Sequence, residues 1–282
     1  MNQLRGQTAV ITGAGSGIGL ALARRAAREG MHLVLADIDG ADLARAAEAL
    51  AAGGAEVLAR VVDVAKAGEV AALADAAFAR FGAVRLLCNN AGVALCKPAW
   101  EIAAEDWAWV LGVNLHGVIH GLQAFVPRML AGGAPGRIVN TASAAGLLSP
   151  PGFAAYSVSK HAVVALSEVL HHDLALRGSR LKVSVLCPAW VNTRIAQSDR
   201  HREAAERGDP ATLDAVSVHV AQAVLQATAA GLDPADVADA VFRADAEDRF
   251  YILTHAATKA GVRVRLEDIL LDRPPTLLDL KA

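Results

Sequence analysis

TAVITGAGSGIG, residues 8–19, is the stretch that decides the fold. A short β-rich run, Thr8–Thr12, enters a string of glycines. Residues Gly17–Arg28 then carry apolar side chains at helical spacing. Glycines let a backbone turn tightly and approach a pyrophosphate, and a helix N-terminus favours its negative charge. A glycine string alone would mean no more than a tight turn; strand before and helix after make it a nucleotide-phosphate loop. Gly13, Ser16, Gly17, Ile18 and Gly19 are therefore expected to bind a cofactor.

The same alternation continues outward. Strands are predicted at His32–Ala36, Glu56–Val62, Val84–Cys88, Arg137–Thr141, Lys182–Cys187 and Phe250–Thr254. Helices are predicted at Ala41–Ala52, Glu69–Phe81 and Ala154–Ala175, with a long helical region before Arg137. The strands are nearly continuous apolar runs, as in a parallel sheet covered on both faces. The expected fold is α/β: a Rossmann-type doubly wound parallel sheet, residues 1–282 forming a single dinucleotide-binding and catalytic domain. Ligands in such sheets lie beyond the carboxyl ends of the strands. Residues 194–232 are poorly patterned and are expected to form a lid over the site. Order returns at Asp233-Pro234-Ala235-Asp236, with Asp233 at the N-cap of a helix and Pro234 at its first position.

Composition narrows the function classes. With 27 basic and 29 acidic residues, dispersed along the chain, no basic face for nucleic acid is expected. No run of about 18 uncharged apolar residues appears, so no membrane partner is expected. The opening residues lack an apolar run of signal-peptide length. Together with three cysteines, Cys88, Cys96 and Cys187, this predicts a cytoplasmic protein with reduced thiols. Neither C-x-x-C nor H-E-x-x-H occurs, and no metal site is expected.

Asp37 ends the second strand, and an acid about 20 residues beyond the glycines can accept hydrogen bonds from a ribose 2′-hydroxyl. It would repel a 2′-phosphate, and no Arg or Lys sits in the glycine loop or directly after it. NAD is therefore expected over NADP; the competing role, capping the next helix, suits Asp39 better. Asp63 with Val64 ends the third strand, and Asn89 with Asn90, Ala91 and Gly92 ends the fourth. Both groups could hold adenine and ribose or simply satisfy turn backbone.

Tyr156 and Lys160 stand at i and i+4 near the start of the long helix and share one face. A phenol of pKa ~10 is a poor base at neutral pH. A positive charge ~4 Å away at an effective dielectric of ~20 is worth ~4 kcal/mol, enough to bring it near neutrality. Ser143, ending the fifth strand, could donate to a substrate oxygen. Asn114 is a polar residue in an apolar helical pattern.

Taken together, Thr12–Gly19, Asp63, Asn89–Gly92, Asn114, Ser143, Tyr156 with Lys160, and Pro188–Thr193 resemble, in order and spacing, a short-chain dehydrogenase/reductase of the "short" subtype. The resemblance spans residues 8–195. It implies that Tyr156 exchanges a proton with the alcohol or ketone, that Lys160 lowers the tyrosine pKa and holds the nicotinamide ribose, and that Ser143 positions the substrate oxygen. It further implies that Asn114 holds a relay water, and that Pro188, Val191 and Thr193 orient the carboxamide. One departure is Pro188-Ala189-Trp190, where the family usually has Pro-Gly; the loop is expected to be altered, with Trp190 walling the substrate pocket. A looser similarity extends to bacterial dehydrogenases of benzylic alcohols in lignin-derived aryl ethers.

The implied activity is an NAD(H)-dependent interconversion of a hydrophobic or aromatic secondary alcohol and its ketone. Two alternatives are a non-catalytic dinucleotide-binding regulatory protein and an NADPH-dependent reductase of 3-oxoacyl type. The resemblance also implies a homotetramer or dimer packed through the long helices.

Overall fold

The apolar runs become the strands of one parallel sheet in a computed structural model that describes residues 4–202 and 215–278. These are β1 (Thr8–Thr12), β2 (His32–Asp37), β3 (Val57–Val61), β4 (Leu86–Asn89), β5 (Gly136–Thr141), β6 (Leu181–Cys187) and β7 (Tyr251–Leu253). Their order is β3-β2-β1-β4-β5-β6-β7. The chain winds outward from β1 in both directions, so a crevice opens between β1 and β4 at their carboxyl ends. β1, β4 and β5 are buried along their whole lengths. That two-sided burial explains their unbroken apolar pattern. The Rossmann-type reading is borne out.

The helices are α1 (Gly17–Arg28), α2 (Gly40–Ala52), α3 (Ala67–Phe81), α4 (Ala104–Leu111), α5 (Gly117–Gly132), α6 (Ala154–Leu176), α7 (Ala215–Ala229), α8 (Pro234–Ala246) and α9 (Ala256–Leu270). Leu22 of α1, Leu43 of α2 and Val241 of α8 pack on one face of the sheet with Ile11, Leu33 and Leu35. Leu73 of α3, Phe125 of α5 and Leu174 of α6 pack on the other with Val10, Leu87 and Ile138. Asp39 caps α2 by accepting from Asp42 N–H at 2.9 Å. Asp233 caps α8 by accepting from Ala235 N–H at 2.8 Å, with Pro234 at its first position.

Three features depart from the sequence reading: first, helix α7 forms within the stretch 194–232 read as poorly patterned. Helix α9 was not anticipated. The run from α4 to α5 is interrupted by a π-helical turn at Gly112–His116, which carries Asn114. This continuous run, Ala104–Gly132, is long and apolar enough by length and composition to cross a membrane. Here it is a core element, with Phe125, Val126 and Met129 buried against the sheet and α3, and Val118 against Val163 and Val185.

The sheet also buries a charge. Arg137 on β5 is 4% exposed; its guanidinium meets Asp245 at 2.7 Å, Asp248 at 2.7 Å and the Ser184 hydroxyl at 2.9 Å. A buried charge left without its partner costs far more than the pair itself contributes. Asp245→Ala is therefore expected to lower unfolding free energy by about 3–5 kcal/mol in urea titration. Glu247→Ala, which breaks the exposed pair with Arg249, should cost less than about 1 kcal/mol. Equal small losses would show that Arg137 is not electrostatically anchored.

Candidate active site

The crevice at the carboxyl ends of the strands is a cleft of about 900 Å³. Glycine makes one end of it. Gly13 has φ +66°, and a Cβ there would stand 2.9 Å from Ala91 Cα. At Gly19 a Cβ would fall 1.9 Å from the Gly13 carbonyl oxygen, so no other residue fits. Ser16 at the N-cap of α1 makes no side-chain cap, and the first turn holds no acid. Its N–H groups thus remain for an anion in the cleft. Gly13, Ser16, Gly17 and Ile18 all line it. This cradle, a backbone without side chains below an uncapped helix end, fits a dinucleotide pyrophosphate.

Carboxylates line the cleft beside this cradle. Asp37 accepts from Gly15 N–H at 2.8 Å and from Asp39 N–H at 2.9 Å. Those bonds fix its carboxylate at the cleft wall. Asp63 accepts from Ala65 N–H at 3.0 Å, while its own N–H donates to Glu69 at 2.7 Å. Val64 is buried, and its carbonyl meets His120 Nδ1 at 2.9 Å. Asn90 is a junction: its Nδ2 donates to the Thr12 carbonyl at 3.0 Å and its Oδ1 accepts from Thr141 Oγ1 at 3.3 Å. Asn90, Ala91 and Gly92 line the cleft between the two ends.

Tyr156, Ser143 and Lys160 meet at the opposite end. Burial raises the Tyr156 phenol above its ordinary pKa, and the nearby Ser143 hydroxyl only partly opposes this. Lys160 Nζ lies 5.6 Å from the centre of the tyrosine ring and donates to the Thr141 carbonyl at 2.9 Å. Burial pulls its ammonium down to about 8. The expectation that Lys160 brings the phenol near neutrality is therefore corrected for the protein by itself. The ammonium sits toward the ring and a strand carbonyl, and burial of the phenol sets the direction. Ser143 is nearly buried; its hydroxyl accepts from Ala145 N–H at 3.1 Å and donates to the Pro188 carbonyl at 3.4 Å.

Asn114 is fully buried. Its Oδ1 accepts from Val93 N–H at 2.8 Å, and its Nδ2 donates to the Val93 carbonyl at 2.9 Å and to Ser159 Oγ at 3.1 Å. Asn114 Oδ1 and Lys160 Nζ both lie 3.4 Å from where a Cβ on Gly92 would stand. Asn114 thus ties the loop after β4 to α6 beside the lysine, and the π-helical turn is what aims it inward.

Pro188, Val191 and Thr193 follow β6 along the cleft. Pro188 accepts from Ala144 N–H at 2.8 Å. Thr193 Cγ2 lies 3.0 Å from where a Cβ on Gly17 would stand, closing the loop onto the glycine cradle. Ala189 does not adopt a positive φ. The departure from Pro-Gly thus brings no glycine-only conformation, and the expected distortion there is corrected. Trp190 lines the cleft, as do Leu148, Phe153 and Val224. Residues 203–214 of the expected lid lie outside the described residues.

Several site residues were not anticipated. Arg194 pairs with Asp42, and the carboxylates of Asp37 and Asp39 act on Arg200 and His201. A pairing 152 positions apart leaves no trace in local pattern. His120, whose Nδ1 lies 2.9 Å from the Val64 carbonyl, is another such residue. Residues of α9 and the following segment to Leu278 wall the far side of the cleft. Among the described residues no group of three or more His, Cys, Asp or Glu could hold a metal ion.

Comparison with known proteins adds an independent line. A family model described as short chain dehydrogenase matches residues 7–204. The chain is 39% identical to 1-deoxy-11-beta-hydroxypentalenate dehydrogenase of Streptomyces avermitilis over 268 residues, covering 94% of this chain and 91% of the relative. It is 31% identical to the C alpha-dehydrogenase of a Sphingobium species, covering 96% and 87%. A crystal structure of a short chain dehydrogenase/reductase from Burkholderia phymatum in complex with NAD superposes with a TM-score of 0.94 at 50% identity, covering 99% of each chain.

The buried lysine carries a stability consequence. Its pKa, about 8 when folded against 10.5 unperturbed, means the unfolded chain binds more protons between those values. Lysine's desolvation cost is therefore full below about 8 and is relieved as pH rises toward 10.5. Lys160→Met is expected to stabilise the protein at pH 7 by on the order of 2 kcal/mol, with a smaller gain near pH 10. Urea titrations at the two pH values check this; a gain that does not shrink would contradict the assignment.

Proposed function

The chain belongs to the short chain dehydrogenase family, and from that premise we propose that it is an NAD(H)-dependent oxidoreductase interconverting a hydrophobic or aromatic secondary alcohol and its ketone. The observation that carries this reading is the convergence of Ser143, Tyr156 and Lys160 on one cleft whose other end is a glycine cradle. A binding module has no use for a buried phenol flanked by a buried ammonium and a hydroxyl.

The bound dinucleotide would supply the acceptor or donor of a hydride. The chain supplies geometry and proton handling. Ser143 positions the substrate oxygen; its hydroxyl is held by Ala145 and Pro188 and so presents a fixed direction. Tyr156 exchanges the proton of the substrate hydroxyl at its phenolic oxygen. Lys160 holds positive charge below the ring, stabilises phenolate as it forms, and fastens the nicotinamide ribose. Asn114 orders Val93 and Ser159 beside that lysine and keeps the proton route in place. Trp190, Leu148 and Phe153 exclude water from the reacting end.

Asp37 supports NAD as the cofactor. It is a fixed carboxylate where a ribose 2′-hydroxyl would donate, and a 2′-phosphate would meet like charge there. Of the cations opposite, Arg194 is paired with Asp42, and Arg200 Nη1 donates to the carbonyls of Arg194 and Gln197 while its Nε has no partner among the described residues. An NAD-dependent cytoplasmic enzyme would run chiefly toward oxidation. The exposed apolar residues Val158, Val169 and Leu176 along α6 support a homo-oligomer, dimer or tetramer, packed through the long helices.

Tyr156→Phe is expected to abolish NADH formation on secondary alcohols while NADH still binds, as read by its fluorescence. Full turnover by that variant would rule out the mechanism. Asp37→Ala should narrow the ratio of kcat/KM for NAD over NADP by tenfold or more, about 1.4 kcal/mol; an unchanged ratio would remove Asp37 from cofactor selection.

A further inference from the structure

Helix α9 brings one face to the cleft. Ala257, Gly261, Val264, Arg265 and Asp268 line it, and their spacing places them on a single stripe. Gly261 lets α9 approach closely: a Cβ there would stand 3.1 Å from Leu148 Cδ1. Leu148 lies just past Ser143 and the short turn Ala144–Gly146, held by its N–H to the Ala144 carbonyl at 2.9 Å. The α9 stripe therefore faces the reacting end across Leu148.

The chain beyond α9 is folded back over the same space. Asp268 accepts from Thr276 N–H at 2.9 Å and pairs with Arg273 at 3.0 Å, while its carbonyl accepts from Arg273 N–H at 2.8 Å. This returns Leu277 and Leu278 to the cleft wall. Most of the substrate end is thus apolar.

Five cationic side chains line the cleft: Lys160, Arg194, Arg200, Arg265 and Arg273. Lys160 is bound to the Thr141 carbonyl, Arg194 to Asp42, Arg200 to two carbonyls and Arg273 to Asp268. Arg265, half-buried, has no hydrogen-bond or ion-pair partner among the described residues. Its neighbour on the stripe, Asp268, has both carboxylate oxygens engaged. A guanidinium among apolar walls binds a carboxylate bidentately and more strongly than it would in open water.

We propose that Arg265 is the anion-binding residue of the substrate pocket, and that the substrate is an apolar secondary alcohol or ketone bearing one carboxylate remote from the reacting carbon. This rests on the dehydrogenase reading and names its substrate class. A single guanidinium beside the Asp268 carboxylate suits one negative charge, whereas a dianionic phosphate would need a second cation. The carboxylate anchors the far end of the substrate while Ser143 and Tyr156 receive the oxygen, so Arg265 contributes to binding and to which acids are accepted.

The test uses the full chain with NADH and two neutral-bodied probes, 4-acetylbenzoate and its methyl ester. Binding is read by NADH fluorescence, and turnover separately by NADH absorbance. The wild type is expected to bind the acid at least tenfold more tightly than the ester, about 1.4 kcal/mol. In Arg265→Gln that ratio should fall to near one, and Arg265→Lys should restore part of it, with the change in KM rather than kcat. A wild type that does not discriminate, that binds neither probe, or whose preference survives in Arg265→Gln overturns the proposal. Turnover of both ketones with equal kcat/KM sinks the carboxylate site and leaves the dehydrogenase reading standing. An Arg265-dependent preference in binding without any turnover does the reverse.

Discussion

The site depends on the Thr12 hydroxyl. It donates to the Cys88 carbonyl at 3.4 Å and accepts from Asn90 and Ala91 N–H at 2.9 and 3.0 Å. Three bonds from one side chain thus join the ends of β1 and β4, the two strands between which the winding reverses. The junction sets how near the glycine loop comes to the loop after β4, which is why Gly13 passes Ala91 so closely. Asn90 extends the same seam to β5 through Thr141, and the Thr141 carbonyl in turn holds Lys160. The glycine cradle and the end that carries Tyr156 and Lys160 are therefore two ends of one hydrogen-bonded seam across three strands.

Polar side chains are buried along this seam and bond to one another, with Asn89 Oδ1 left without a partner among the described residues. Asn89 donates to Asn140, and Asn140 to Ser167, linking β4, β5 and α6 at one level. Gly121 of α5 must be glycine there, since a Cβ would fall 2.1 Å from Asn89 Oδ1. Asn114 does the corresponding work one level higher, between Val93 and Ser159. Buried polar networks cost heavily when partly satisfied and rigidify when complete. Here they fix α6, and with it Tyr156 and Lys160, against the strand ends.

Much of this was legible in the sequence. Strand β1 and helix α1 were read to the residue, because a β-rich run, a glycine string and a 3.6-residue period succeed one another without ambiguity. The site residues Ser143, Tyr156 and Lys160 share one cleft, since each follows or faces a strand end. What stayed hidden has three physical causes. Helix α9 carries Lys259, Arg263, Arg265, Glu267 and Asp268 around its circumference, so it has no apolar stripe to read; its packing is set by Gly261 against Leu148. The π-helical turn at Gly112–His116 is fixed by the partners of Asn114, not by propensity. The spacing of Tyr156 and Lys160 tells which face they share but not where the ammonium ends, and it ends at a strand carbonyl.

The glycine missing after Pro188 shows how a structural requirement can be moved within a fold. At Ala189 no positive φ is needed, so a side chain costs nothing there. The close approach occurs on the other side of the loop: a Cβ at Gly231 would fall 2.5 Å from the Trp190 carbonyl carbon. That approach allows Leu232 N–H to donate to the Trp190 carbonyl at 3.0 Å and Asn192 N–H to the Leu232 carbonyl at 2.9 Å. The chain leaving the cleft at Arg194 is tied to Asp42, and the chain returning at Leu232 is tied to the loop after β6. Between these two ties the chain is held further at Ser198, which accepts from Ala94 N–H at 3.0 Å, and at Arg202, which pairs with Asp106 at 2.7 Å. Glycine at 231 is the condition for the tie at Leu232, and a larger residue there would free the returning chain from the loop after β6 that lines the cleft.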